Sequence, residues 1–177
     1  MNEVNKTLET DNLYSDNIVD VQKIVSLNKF IFLSIVSFGT YGIWWKYKAW
    51  KFFKEKDNLD ISPIARTIFS LFYLHSLLEE IQQFAEENGY EKSYSSTALF
   101  IGFIIVNFMS KLPDPYWLLS ILSFVFLIPA VSALNYAKKN SPDFLTIEET
   151  SFNLRQIVLT IFGIIFWGLV LFGLSTN

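Results

Sequence analysis

The stretch Phe30 to Lys56, FIFLSIVSFGTYGIWWKYKAWKFFKEK, decides the class of this chain. Its first half is apolar and uncharged. Its second half interleaves Trp44, Trp45, Tyr47, Trp50, Phe52 and Phe53 with Lys46, Lys48, Lys51, Lys54 and Lys56. A helix passing from bilayer hydrocarbon into anionic head groups has this composition, because indole and phenol rings settle at the interface while lysine stems snorkel toward water. Trp44, Trp45, Lys46, Lys48, Trp50, Lys51 and Lys54 are therefore the expected lipid-interface residues. The uncharged part, Phe30 to Trp45, is about 16 residues, roughly 24 Å as a helix, and Gly39 and Gly42 interrupt it. It either spans short and tilted, or enters and returns as a re-entrant hairpin broken at the glycines.

The rest of the chain points the same way. Of 177 residues, 51% are hydrophobic and 18% aromatic, mean hydropathy is +0.33, and there are only 5 prolines and 7 glycines. That balance argues for lipid-solvated helices rather than disorder. Three later uncharged runs, 93–110, 115–137 and 156–177, have about 18, 23 and 22 residues, against the ~20 needed to cross hydrocarbon. So short a chain has too little polar surface to cover three such runs in water. Pro113-Asp114-Pro115 should join the first two as an antiparallel hairpin, and Pro129 should kink the second. Thr146 and Glu149 have capping-box spacing, with Ser151 or Asn153 as the start of the last helix. Ser62 and Pro63 open a helix expected to run to Asn88 and Gly89. Its early polar arc is Arg66, Thr67 and Ser70. The later one, from His75 through Glu79, Gln82, Gln83 and Glu86, lies opposite, so the first turns read as embedded and the last as wet.

The expected fold is all-α, an integral membrane helical bundle. A polar acidic leader, 1–28, is expected to be mobile. Behind it stands a single helical membrane domain, 29–177. It comprises three firm transmembrane helices (95–111, 115–137 and 155–175), the short N-terminal span or re-entrant segment within 29–57, and a partly embedded cytoplasmic-side amphipathic helix at 62–88. With 30–45 as a full span, Lys46, Lys48, Lys51, Lys54, Lys56, Arg66, Lys92, Lys138, Lys139 and Arg155 lie inside, against Lys6, Lys23, Lys29 and Lys111 outside: ten to four of the 14 basic residues. With a re-entrant segment only Lys111 remains outside, and the leader moves in. Making Ile64–Leu78 a further span would balance the charges seven to seven, which the positive-inside bias disfavours. Both favoured topologies put the basic loops in the cytoplasm and the C-terminus outside.

Chemistry is scarce. Without cysteine there is no disulfide, thiolate site or cysteine nucleophile. A net charge of −3 gives no field for nucleic acid. The embedded polar candidates are Arg66, His75 and Asn107. His75 and Glu79 share a helical face as two metal ligands would, but no second histidine exists, so no metal site is expected. Arg66 lies one turn into its helix, where its stem reaches head groups. Asn107 could hydrogen-bond across helices. No phosphate loop, nucleophile elbow or zinc motif occurs, and no acidic residue lies deep in a firm span. No catalytic, cofactor-binding or metal residue is therefore assigned, and no cofactor is expected.

The run from Ser37 through Phe38, Gly39, Tyr41, Gly42 and Trp45 resembles the F-G-x-Y-G-x-x-W first-segment motif of small bacterial multipass inner-membrane proteins of unknown function. The likeness extends to Ile61–Pro63 with Arg66, to Leu112–Trp117 and to the closing apolar helix. It implies a bacterial inner-membrane location and no site residues. The function expected is a non-enzymatic structural or interaction component whose Trp/Lys flank grips anionic membrane lipid; a homo-oligomer or another membrane protein is allowed as partner. The alternatives are a small transport or channel subunit acting as an oligomer, with Asn107 and Arg66 facing a pathway, and an intramembrane lipid-modifying enzyme resting on His75 and Glu79.

Overall fold

The computed structural model describes residues 20–176; the earlier part of the leader, with its expected mobility, lies outside the described residues. The described chain is mostly helical. Its elements run β1 (Asp20–Ile24), α1 (Leu27–Val36), α2 (Thr40–Lys56), α3 (Pro63–Ile68), α4 (Ser70–Glu87), α5 (Ser96–Phe108), two 3₁₀ segments (Met109–Lys111 and Tyr116–Leu127), α6 (Ile128–Asn140), β2 (Phe144–Glu148) and α7 (Leu154–Ser175). Among the described residues, two helical stretches are long and apolar enough to cross a membrane: Tyr116–Asn140, where the second 3₁₀ segment runs straight into α6, and Leu154–Ser175. The stretch expected as a span at 95–111 is a shorter apolar helix, Ser96–Lys111.

The decisive segment is a helical hairpin. Ser26 caps α1 by accepting from the Lys29 N–H at 3.4 Å. At the other end Phe38 and Gly39 both take left-handed backbone (φ 54 and 81), and the Gly39 N–H reaches the Ser34 carbonyl at 2.7 Å. Glycine enters that region without a Cβ penalty, so it stops the helix and turns the chain. α2 then folds back along α1: the Phe30 ring meets those of Trp45 at 5.8 Å and Tyr41 at 6.0 Å. At about 100° per residue, every buried residue of α2, from Tyr41 to Phe53 and including Trp45, Lys46 and Trp50, falls in one half of its circumference. The other half carries Trp44, Lys48, Lys51 and Lys54 outward.

The helix expected from Ser62 to Asn88 has those ends, with the Ser62 hydroxyl accepting from the Ala65 N–H at 3.3 Å, but it breaks at Phe69 (φ −87, ψ 35). The early polar arc explains the break. Arg66 lies 4.4 Å from the Trp50 ring, the Ser70 hydroxyl accepts from Lys46 Nζ at 3.1 Å, and the Thr67 hydroxyl back-bonds to the Pro63 carbonyl at 2.7 Å. Such back-bonding bends helices. α3 thus runs down α2, and α4 runs back up it to bring Phe84 within 6.0 Å of Phe53. Ile64, Ile68, Phe69, Leu71 and Phe72 are left facing outward at the corner.

α5 and the Tyr116–Leu127 segment form a second hairpin through Pro113-Asp114-Pro115, with the Trp117 indole donating to Asp114 Oδ1 at 2.6 Å. Where the sequence predicts a kink, at Pro129, the helix changes from 3₁₀ to α. Proline falls in the first turn of α6, at its junction with the 3₁₀ segment.

The described residues also hold a strand pair that the sequence does not announce. β1 and β2 pair in parallel, Asp20 with Phe144 through to Ile24 with Glu148. Part of the leader is therefore a strand, and Thr146 belongs to its partner rather than to a helix cap. The capping box lies further on, where Asn153 and Gln156 bond reciprocally at 3.0 and 3.1 Å. Two five-residue strands that pair across most of the chain leave no local periodicity to read.

The core joins α1, α2, α4, the long 3₁₀ segment and α6 around Phe30, Trp50, Phe53, Leu77, Ile81 and Val131. The exterior divides in two. One end is charged, with Lys54, Glu55, Glu79, Glu86 and Lys139 exposed. The other shows Phe32, Ile35, Ile68, Phe72, Ile105, Leu122 and nearly all of α7, which buries only 6% of its most apolar stretch.

Candidate functional site

Where the two halves meet, the outward arc of α2 faces the start of α7 across a cleft of about 910 Å³, walled also by β1 and α6. Its geometry begins with Lys29, which is buried because α1 packs it under the β2–α7 connection. Its ammonium donates to the Glu149 and Ser151 carbonyls at 3.1 and 2.7 Å and lies 3.8 Å from the Glu149 carboxylate. The buried Gln156 side chain, besides completing the cap of α7, donates toward Glu149 Oε2 at 3.3 Å and the Tyr41 hydroxyl at 3.4 Å. The start of α7 is thereby stapled to both arms of the hairpin.

That staple presents Arg155 to the cleft. Its guanidinium carbon lies 5.7 Å from the Trp44 ring centre, and Lys48 Nζ lies 5.8 Å from the same ring. α6 adds Lys138, whose ammonium sits 3.9 Å over the Phe52 ring and 3.4 Å from Gln22 Oε1. The carboxylates on the wall are engaged: Glu55 with Lys51 at 3.4 Å and Glu149 with Lys29. Among the described residues no carboxylate reaches ion-pairing distance of Lys48, Lys138 or Arg155. A net positive, aromatic-edged cleft of this kind has the donors to bind phosphate oxygens, since guanidinium and ammonium groups make charge-assisted bonds to them. Exposed Leu154, Ile157, Val158 and Ile161 continue from its mouth along α7.

The sequence-derived interface residues divide by helical phase. Trp44, Lys48, Lys51 and Lys54 face outward; Trp45 and Trp50 are core. Lys46 is only 3% exposed, held by Ser70 and lying 4.9 Å over the Phe103 ring. Arg66 stacks between the rings of Trp50 and Tyr73. His75 pairs with Thr97 at 3.0 Å and Glu79 at 3.4 Å, sharing no partner with Arg66. Asn107 is exposed and donates to its own helix at Phe103 O, 2.9 Å, instead of crossing to a neighbour. Lys138 and Arg155 join the cleft without any local signal, because they are distant in sequence from the Trp/Lys flank. In the charged half, burial and the nearby Asp57 hold the Glu80 carboxyl above the usual carboxylate range despite Arg66 and Lys56. Burial likewise raises the Tyr94 phenol, which donates to the Leu78 carbonyl at 2.7 Å.

Comparison with protein-family models, with curated proteins and with solved structures found no match.

Proposed function

We propose that the chain is a non-enzymatic multipass membrane component that holds an anionic lipid head group of one leaflet in the cleft between α2 and α7. The apolar half sits in hydrocarbon, with α5, the 3₁₀–α6 stretch and α7 crossing it. The charged half stands on the cytoplasmic side of a bacterial inner membrane, a placement that also leans on the likeness carried by Ser37 to Trp45. The observation that carries this reading is the pair of cations, Lys48 and Arg155, flanking Trp44 at the boundary between the two halves. Indole at the interface, cations toward phosphate and an apolar helix below for the acyl chains form one continuous lipid-shaped surface.

The transport alternative draws no support from Asn107, which is engaged with its own helix. For the lipid-modifying alternative His75 and Glu79 do pair, at 3.4 Å, but Arg66 is turned to Trp50 and Tyr73 and does not join them.

The test is competition between brominated phosphatidylglycerol and brominated phosphatidylcholine for quenching of tryptophan fluorescence in mixed micelles. Each surface cation contributes about 1 kcal/mol, so Lys48→Ser with Arg155→Ser should cut the anionic preference by roughly 30-fold. Lys92→Ser with Lys111→Ser, outside the cleft, should leave it in place. Equal losses from both pairs, or none from the first, would remove the cleft from the account.

A further inference from the structure

We infer that the chain is a one-sided wedge, which partitions into membrane convex toward its charged face. The inference rests on the membrane placement proposed above, and its basis is depth. With 22 residues, α7 is about 33 Å long, close to the ~30 Å of bilayer hydrocarbon. The α1–α2 hairpin accompanies only part of it. The hairpin tip, Phe38, stacks on Trp167 at 4.5 Å and meets Phe166 edge-on at 4.7 Å, while the Trp167 indole donates to the Ile35 carbonyl at 3.2 Å. Trp167 lies roughly 20 Å along α7 from Leu154, so about 12 Å of that helix continues beyond the tip.

Both roots of the hairpin stay on the charged side. α1 starts where Lys29 grips the Glu149 and Ser151 carbonyls ahead of α7, and α2 ends where Phe52 packs 5.3 Å from Phe144 of β2. The α3–α4 corner enters from the same side. It descends from Trp50 to Lys46, whose ammonium lies over Phe103 midway along α5, and then climbs back to Phe53. The corner residues Ile68 and Phe72 are 71% and 73% exposed, which suits hydrocarbon and not water.

The leaflet on the charged side therefore accommodates α1, α2, α3 and α4 in addition to the elements that go on. The far leaflet accommodates α5, the 3₁₀ segment and α7, with Lys111–Pro115 and the end of α7 beyond. Each helix is a cylinder roughly 10 Å across, so the two leaflets are displaced unequally. An inclusion of this shape is relieved where the fuller leaflet is expanded, and that differential free energy is what shifts its population between flat and curved membrane.

The test uses detergent-purified full-length chain in giant vesicles of phosphatidylcholine alone, so the cleft's preference for anionic lipid plays no part. The cysteine-free sequence allows Asp57→Cys and Lys111→Cys, at exposed positions, to be labelled from outside with an impermeant dye. The first label marks molecules with the charged face out; the second marks the opposite orientation. A narrow tube drawn outward expands the outer leaflet. The expected tube-to-vesicle ratio, normalised to a lipid dye, is above one for Asp57→Cys and below one for Lys111→Cys. Equal ratios for the two labels overturn the wedge. Adding Ile68→Ser and Phe72→Ser to the Asp57→Cys chain should bring its ratio back toward one; an unchanged ratio overturns the assignment of the wedge to the one-sided hairpins. The membrane placement fails separately: a double-cysteine chain labelled at both sites from outside overturns it, and the wedge with it.

Discussion

Gly163 is the tightest point between α7 and the rest of the described chain. α7 buries only Gln156 and Gly163. A Cβ on Gly163 would overlap the Val36 carbonyl oxygen and come within 2.5 Å of Val36 Cγ1. The oxygen belongs to the last turn of α1 and cannot rotate away, so Gly163→Ala forces α7 outward by roughly 1 Å toward normal contact distance. That retreat pulls the Trp167 indole off the Ile35 carbonyl and loosens its stack on Phe38. Overpacking costs about 1–3 kcal/mol and the weakened hydrogen bond about 1, against a helix-propensity gain of up to ~1 kcal/mol for alanine over glycine. The net is a loss of about 1–3 kcal/mol. Gly168 and Gly173, on the same helix, face open space, so alanine there gains propensity without a clash. Thermal unfolding in detergent micelles, followed by circular dichroism, separates the cases. Gly163→Ala should lower Tm by about 2–4 °C per kcal/mol at this chain length, while Gly168→Ala and Gly173→Ala should not lower it. Should all three variants fall together, or Gly163→Ala unfold no earlier than the parent, the close α1–α7 approach would be refuted.

Lys29→Met keeps the length of a buried side chain but deletes an ammonium bound to two carbonyls and a carboxylate. The cost should be about 2–3 kcal/mol, seen as faster protease cleavage between Glu149 and Asn153 and faster amide exchange in β2; unchanged protection would show that the staple does not hold the α7 start. Glu80 supplies a pH dependence. Its folded pKa stands above its unfolded one, so ionisation as pH rises through the folded value removes stability. Glu80→Gln should therefore raise Tm at neutral pH and lose that advantage in acid, below the ordinary carboxylate pKa; a benefit that grows on acidification would contradict the sign.

Legibility followed the range of the interaction. Ser62 and Pro63 at one end, and Asn88 and Gly89 at the other, mark real boundaries because capping and backbone freedom act within a turn. The turn at Pro113-Asp114-Pro115 and the Asn153 cap are local in the same way. The break at Phe69 is different: it depends on α2 taking up Arg66 and Ser70, which nothing between 62 and 88 announces. Lys46 shows the same limit within the most telling stretch. Reading by adjacency groups it with Lys48 and Lys51; the phase of α2 buries it on the opposite side. The pairing of β1 with β2, and the convergence of Lys138 and Arg155 on Trp44 and Lys48, join segments that share no local signal.

Composition and period alone determined a helical chain with long apolar stretches, aromatic and basic residues concentrated after Trp44, and no cysteine chemistry. These are sums over single residues and near neighbours, so they survive any arrangement of the chain. The tertiary structure decided which lysines face a cleft and which are core, that α1 with α2 and α3 with α4 turn back on themselves, and that α7 is held chiefly at its start and at Gly163. A helix has no preferred face until a neighbour occupies one, and chain reversal is settled by packing between residues far apart in sequence.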